Sequence, residues 1–204
     1  FGWLLDNYGI IMKIAGLILA AGGSSRMGDQ NKLMMLFQGK PMLNHVVNAS
    51  LNSNLTQTFV VVGHQSSEIK NLVQSDDIQC VENEQWETGM ASSIVVGISQ
   101  LKQFDGFLIL LGDMPLVTPE LINEIIFHGS ADKIVIPIKD GLHGNPVFFG
   151  SKFRDELLTL YEDSGAKKVI QNNLSSLIEI EIQSNIILKD YDTKERMESG
   201  AGDA

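Results

Sequence analysis

Short, unbroken apolar runs alternate with helix-patterned segments along most of this 204-residue chain, and that alternation leaves few folds open. Ile14 to Ala20, Thr58 to Val62, Ile78 to Val81, Phe107 to Leu111 and Lys133 to Pro137 read as buried strands. Pro41 to Leu51, Gln65 to Gln74, Ala91 to Lys102 and Pro119 to Phe127 lie between them with helical spacing. A strand that is apolar on both sides needs cover on both faces, and an intervening helix provides the crossover that parallel pairing requires. The expected fold is therefore α/β: three layers, doubly wound around a mainly parallel sheet. After Asn145 the pattern changes, with a strand at Val147 to Phe149, a helix at Lys152 to Leu160 and a strand at Leu177 to Ile182. No repeat, low-complexity tract or linker divides the chain. Residues 12–198 read as one domain, 1–11 as an N-terminal extension and 199–204 as a disordered tail.

Charge narrows the partners. The formal net charge is −10, from 15 basic and 25 acidic residues. Such a surface repels polynucleotides and anionic lipid, so neither nucleic acid nor a membrane is an expected partner. An anionic small molecule stays admissible where positive charge gathers locally. The one cysteine, Cys80, cannot close an internal disulfide, which suits a reducing cytoplasm. Lys13 and Gly16 break the apolar stretch from Ile10 to Leu19, well short of the roughly 20 residues that span a bilayer.

Directly after the first strand comes Leu19-Ala20-Ala21-Gly22-Gly23-Ser24-Ser25-Arg26-Met27-Gly28, with Lys32 four residues further on. Parallel sheets bind ligands beyond the carboxyl ends of their strands. Small residues there let backbone N–H groups approach phosphate oxygens, and Arg26 and Lys32 add full charges to those partial ones. The alternative is a flexible turn with solvated charges. Two familiar phosphate loops fail: Gly23 and Gly28 have the P-loop spacing, but Asp29-Gln30 stands where Lys-Ser/Thr is required, and no G-x-G-x-x-G is present.

Further along, Gly112-Asp113-Met114-Pro115 follows the most apolar strand. A carboxylate beside a polyphosphate is unfavourable unless a cation lies between them, and Mg²⁺ is a hard ion bound through one or two carboxylates plus phosphate oxygens. Asp113 is thus a candidate metal ligand. Its other use would be to cap the next helix, but Thr118 before Pro119 is better placed for that. Gly89-Met90-Ala91-Ser92-Ser93 opens a helix, and its serines either bind a phosphate or cap that helix. Trp86 either stacks on a ring or packs beneath the loop. His45, His64 and His128 show no metal-ligand spacing.

Taken in order, these segments resemble the MobA-like nucleotidyltransferases. The loop matches L-A-A-G-x-S-S-R-M-G-x-x-x-K. Gly39-Lys40-Pro41-Met42-Leu43 is similar to the family's G-x-P-x-L, and Glu82 to Ser93 to its N-x-x-W-x-x-G-M-x-S-S element. Leu111 to Val117 resembles the G-D-M-P turn; Gly144 to Phe149 and Asp190-Tyr191-Asp192-Thr193 complete the series from about Ile14 to Glu198. Two departures stand out: Lys194 replaces a usual proline, and Asn145 holds the position where relatives carry histidine, with His143 two residues earlier.

The resemblance, closest to the molybdenum cofactor cytidylyltransferases, implies a Rossmann-like fold of the nucleotide-diphospho-sugar transferase type and an Mg²⁺-dependent transfer of CMP from CTP to molybdopterin. It implies Arg26, Lys32 and Asp113 as catalytic residues. Leu19, Ala20, Ala21, Gly22, Gly23, Ser24, Ser25, Gly63, Asn83, Gly89, Ser92 and Ser93, with Arg26 and Lys32, would bind nucleotide. Asp113 and Asp192 would hold the metal, and Trp86, His143 and Asn145 the acceptor. Ala21, as the second residue of A-A-G, goes with cytidine in this family; glycine goes with guanosine. A transient contact with a molybdoenzyme or its chaperone is a further implied partnership. The rival expectations are use of GTP or a sugar phosphate on the same scaffold, a fold-related oxidoreductase, and a nucleotide-binding module without catalysis.

Overall fold

A computed structural model describes residues 12–23, 31–161 and 165–188. The first strand, β1 (Ile14–Ala20), is the axis of the sheet. It pairs in parallel with β4 (Gln57–Val62) on one side and β6 (Gly106–Leu111) on the other, and β4 pairs in parallel with β5 (Ile78–Glu82). Beyond β6 the order continues through β9 (Val147–Gly150), β7 (Ile134–Lys139) and β10 (Leu177–Glu181), giving β10-β7-β9-β6-β1-β4-β5. Of these seven strands only β9 runs against its neighbours. A short strand, β8 (Leu142–His143), turns back on the end of β7, and β2 (Leu36–Phe37) with β3 (Lys40–Pro41) forms a separate small hairpin.

Side-chain alternation along the central strands builds two apolar layers. Ile14, Ile18, Val60, Val62, Leu108 and Leu110 face one side, where α1 (Met42–Leu51), α2 (Ser66–Leu72) and α4 (Pro119–Phe127) cover them. Ala15, Leu17, Phe59, Val61, Phe107 and Ile109 face the other, under α3 (Met90–Ser99), α5 (Arg154–Leu158) and α6 (Lys167–Asn172). The expected three-layer, doubly wound, mainly parallel fold is the one observed. No helix among the described residues is long and apolar enough to cross a membrane.

Differences from the sequence reading have physical causes. The stretch expected as one helix from Lys152 to Leu160 is a 3₁₀ turn, Ser151–Phe153, followed by the short α5. Strand β7 extends past Pro137, which lacks an N–H. That proline sits where the ladder changes partner, after β9 pairs Ile134 and Val135 and before β8 pairs Ile138 and Lys139. The proposed extension 1–11, the tail 199–204 and the Asp190-Tyr191-Asp192-Thr193 segment lie outside the described residues.

Phe148, fully buried and in register with Leu108 and Val135, joins the reversed strand to the helix-covered layer. Phe148→Ala should cost about 3–5 kcal/mol of stability, measured as a lowered denaturation midpoint in urea.

Candidate active site

Strand register assembles the site. Val62 stands beside both Ala20 and Glu82, and Leu19 stands beside Leu111. One residue past Glu82, Val62 and Ala20 come Asn83, Gly63 and Ala21, and two past Leu111 comes Asp113. Four positions from distant parts of the sequence therefore leave the sheet together at its carboxyl edge, where the open ends of parallel strands receive ligands. The Gly112 N–H donates to the Leu19 carbonyl at 3.0 Å, tying the acidic turn to the glycine loop. A methyl group on Gly112 would lie 3.0 Å from that oxygen and 3.2 Å from Leu43, so the close approach depends on a bare backbone.

At this edge Lys32 Nζ donates to Asp113 Oδ2 at 2.6 Å. The two side chains are only 15% and 19% exposed. Their attraction is less screened than that of a surface pair, yet both charges remain open to a ligand. Lys32 opens a 3₁₀ turn, Lys32–Met34, capped by Asn31, whose Oδ1 accepts from the Leu33 N–H at 3.1 Å while Leu33 is buried. The capping role of Asp113 is excluded by α4 itself: Thr118 Oγ1 accepts from the Leu121 N–H, with Pro119 in the first turn.

Opposite lies a scaffold built around Asn83, which is 1% exposed. Its amide nitrogen donates to Ser92 Oγ at 2.8 Å and Ser93 Oγ at 3.0 Å, and its Oδ1 accepts from the Gln85 N–H at 2.9 Å. Ser92 in turn donates to the Gly89 carbonyl, so neither serine caps α3. Gly89, at φ +107°, makes the turn into that helix. These side chains form one clamp between β5 and α3. At the base of the clamp, Lys70 and Ser66 hydrogen-bond Glu82 and hold its carboxyl below the usual range.

Trp86 packs beneath the glycine loop. A methyl on Gly63 would come within 2.6 Å of Trp86 Cβ and 2.9 Å of Ala21 Cβ, and one on Gly23 within 2.8 Å of the indole. The His64 ring lies 5.0 Å from it, and the His64 N–H donates to the Ala21 carbonyl. Ala21 is buried, whereas Gly22 has open space around its Cα. The last predicted group sits apart, beyond β6. His143 on β8 pairs with Glu179 of β10, and the Asn145 N–H donates to the Ile187 carbonyl. Ser24, Ser25, Arg26, Gly28 and Asp192 lie outside the described residues.

Among the described residues no group of three or more His, Cys, Asp or Glu side chains could hold a metal. One carboxylate at the strand ends suits a hard divalent ion that arrives with a polyphosphate and takes its remaining oxygens from it. It does not suit a resident zinc, which needs three or four protein ligands. Sequence reasoning missed two supporting residues. Asn31 was readable as a cap from its place before the turn; His64 carried no local signal.

A three-layer, doubly wound sheet thus gathers a glycine-rich turn, a lysine and an aspartate at its carboxyl edge. The chain belongs to the MobA-like NTP transferase domain family, which matches residues 16–177. The bifunctional protein GlmU of Alkaliphilus metalliredigens is 30% identical over 170 residues, covering 79% of this chain and 37% of that protein. The chain thus spans about a third of the length of the curated relatives it matches. Rv0371c from Mycobacterium tuberculosis superposes with a TM-score of 0.82 at 24% identity, over 93% of this chain and 98% of its own. A complex of that protein with manganese superposes at 0.78, with 22% identity and 94% and 100% coverage. A nucleotidyl transferase from Methanothermobacter thermautotroptrophicus gives 0.82 at 20% identity, over 93% and 96% of the two chains.

Asn83→Ala would strip the buried Ser93 hydroxyl, the half-buried Ser92 hydroxyl and the Gln85 N–H of their shared partner. The expected cost is about 1–3 kcal/mol of stability, read from chemical denaturation, with the fold retained by circular dichroism.

Proposed function

We propose that this protein transfers CMP from CTP to a phosphorylated acceptor, molybdopterin, releasing pyrophosphate with the help of a divalent metal ion, Mg²⁺ by preference. The observation that carries the transferase reading is the Lys32–Asp113 contact at the mouth of the glycine loop. Two positions 81 residues apart meet there. One charge suits a polyphosphate and the other suits the cation that must accompany it.

The reaction is attack by an acceptor phosphate oxygen on the α-phosphorus of the triphosphate, forming one P–O bond as the bond to pyrophosphate breaks. An ionised phosphate brings its own electron pair, so no side chain has to remove a proton. The main obstacle is repulsion between two anions, and the protein meets it by position and charge. Lys32, with Arg26, holds the β- and γ-phosphates and offsets negative charge gathering on the leaving group. Backbone N–H groups after Ala20 complete the cradle, and Trp86 keeps that loop in shape from below. When bound, the metal ion at Asp113, with Asp192 as second carboxylate, supplies charge neutralisation at the α-phosphate. Rv0371c is described in complex with manganese, which supports the use of a divalent ion.

The choice of CTP and molybdopterin rests on the order and spelling of the motifs, Ala21 above all. Trp86, His143 and Asn145 are the acceptor-side candidates, His143 on β8 and Asn145 in the segment that follows it. A sugar phosphate used on the same scaffold is the second reading of the acceptor.

Pyrophosphate release should be faster with CTP than with GTP when molybdopterin is present, and faster with molybdopterin than with a sugar phosphate. Equal or greater release with GTP would overturn the assignment of the base. Asp113→Ala should lower the rate about a hundredfold, or roughly 3 kcal/mol of barrier. A coupled phosphate-detection assay measures both.

A further inference from the structure

We propose that the Lys32 ammonium is a stand-in cation for Asp113, which it must leave before a divalent ion can bind there. This rests on the nucleotidyltransferase reading and adds an order of events to it: bare metal is disfavoured, and metal enters together with the triphosphate that draws Lys32 away.

The geometry supports an exchange rather than a shared site. Lys32 Nζ lies 2.6 Å from Asp113 Oδ2, a charge-assisted hydrogen bond at the short end of its range. A divalent ion would sit about 2.0–2.1 Å from a carboxylate oxygen if it were magnesium. With the ammonium in place, such an ion at either oxygen would face a like charge only a few ångströms away. Both side chains are largely withdrawn from water, so solvent does little to weaken that repulsion. Once polyphosphate oxygens lie between the two cations, the conflict disappears.

The backbone around Lys32 permits the exchange. Its root is fixed: Asn31 caps the 3₁₀ turn and Leu33 anchors it in the core. The ammonium is carried on a flexible four-carbon stem. It can move from carboxylate to phosphate while the main chain stays where it is. Before ligand arrives, the same contact gives the half-buried carboxylate a counter-charge, which an unpaired group in that position would lack.

Manganese binding to the whole chain, followed by electron paramagnetic resonance without nucleotide, tests the exchange. Lys32→Met should bind Mn²⁺ at least about fivefold more tightly than the natural protein, while Lys32→Arg should stay within about twofold of it. Lys32→Gln serves in place of Lys32→Met if the latter does not fold, as judged by circular dichroism. Asp113→Asn should lose the site. Unchanged or weaker Mn²⁺ binding by Lys32→Met, or by Lys32→Gln in its place, with the site still lost in Asp113→Asn, would overturn the stand-in role and leave the metal assignment intact. Wild-type Mn²⁺ binding by Asp113→Asn would overturn both.

Discussion

Parallel pairing of β1 between β4 and β6 is the constraint on which the site depends. Hydrogen bonding sets the three strands in a common register, so their carboxyl ends stop within a residue of one another. The loops that follow must then emerge side by side, whatever their distance in the sequence. Burial enforces this from both faces. Alternate residues of each strand feed separate apolar layers, and a slip of one residue would exchange the two sets. The position of Asp113 beside the glycine loop is thus a result of packing far below it.

Much of the architecture was legible because parallel strands covered on both faces are apolar without interruption, and helices between them are not. Elements too short to show a period were not legible: the β2–β3 hairpin, β8 and α6. The reversal of β9 was also hidden, since direction leaves no mark on a four-residue apolar run. In the site, Lys32 and Asp113 could each be named from their turns. Their contact could not, because it follows from strand order rather than from spacing. Asn83, Ser92 and Ser93 show the opposite case. Their motif suggested ligand contact, while the described hydrogen bonds join them to one another and to the backbone.

Electrostatics gives the same edge its selectivity. A chain with a net charge of −10 repels anions at long range, so an anionic substrate has to be held by short-range contacts. A lysine carried on a fixed root and a loop of small residues make contacts of that kind. The acidic remainder of the surface then works against adventitious polyanions, which lack the geometry to reach them.

The reversed strand divides the sheet into unequal shares. β6 and the three strands on one side of it are bound to one another by continuous parallel ladders; on the other side, the chain reaches β9 through the β7–β8 turn and the segment from Gly144 to Pro146. Residues inserted between Lys139 and Val147 would reshape the rim beyond Asp113 without breaking a hydrogen bond of the parallel four. One half of the mouth is therefore free to change in shape and chemistry while the other is held constant, so the two can vary independently on a single scaffold.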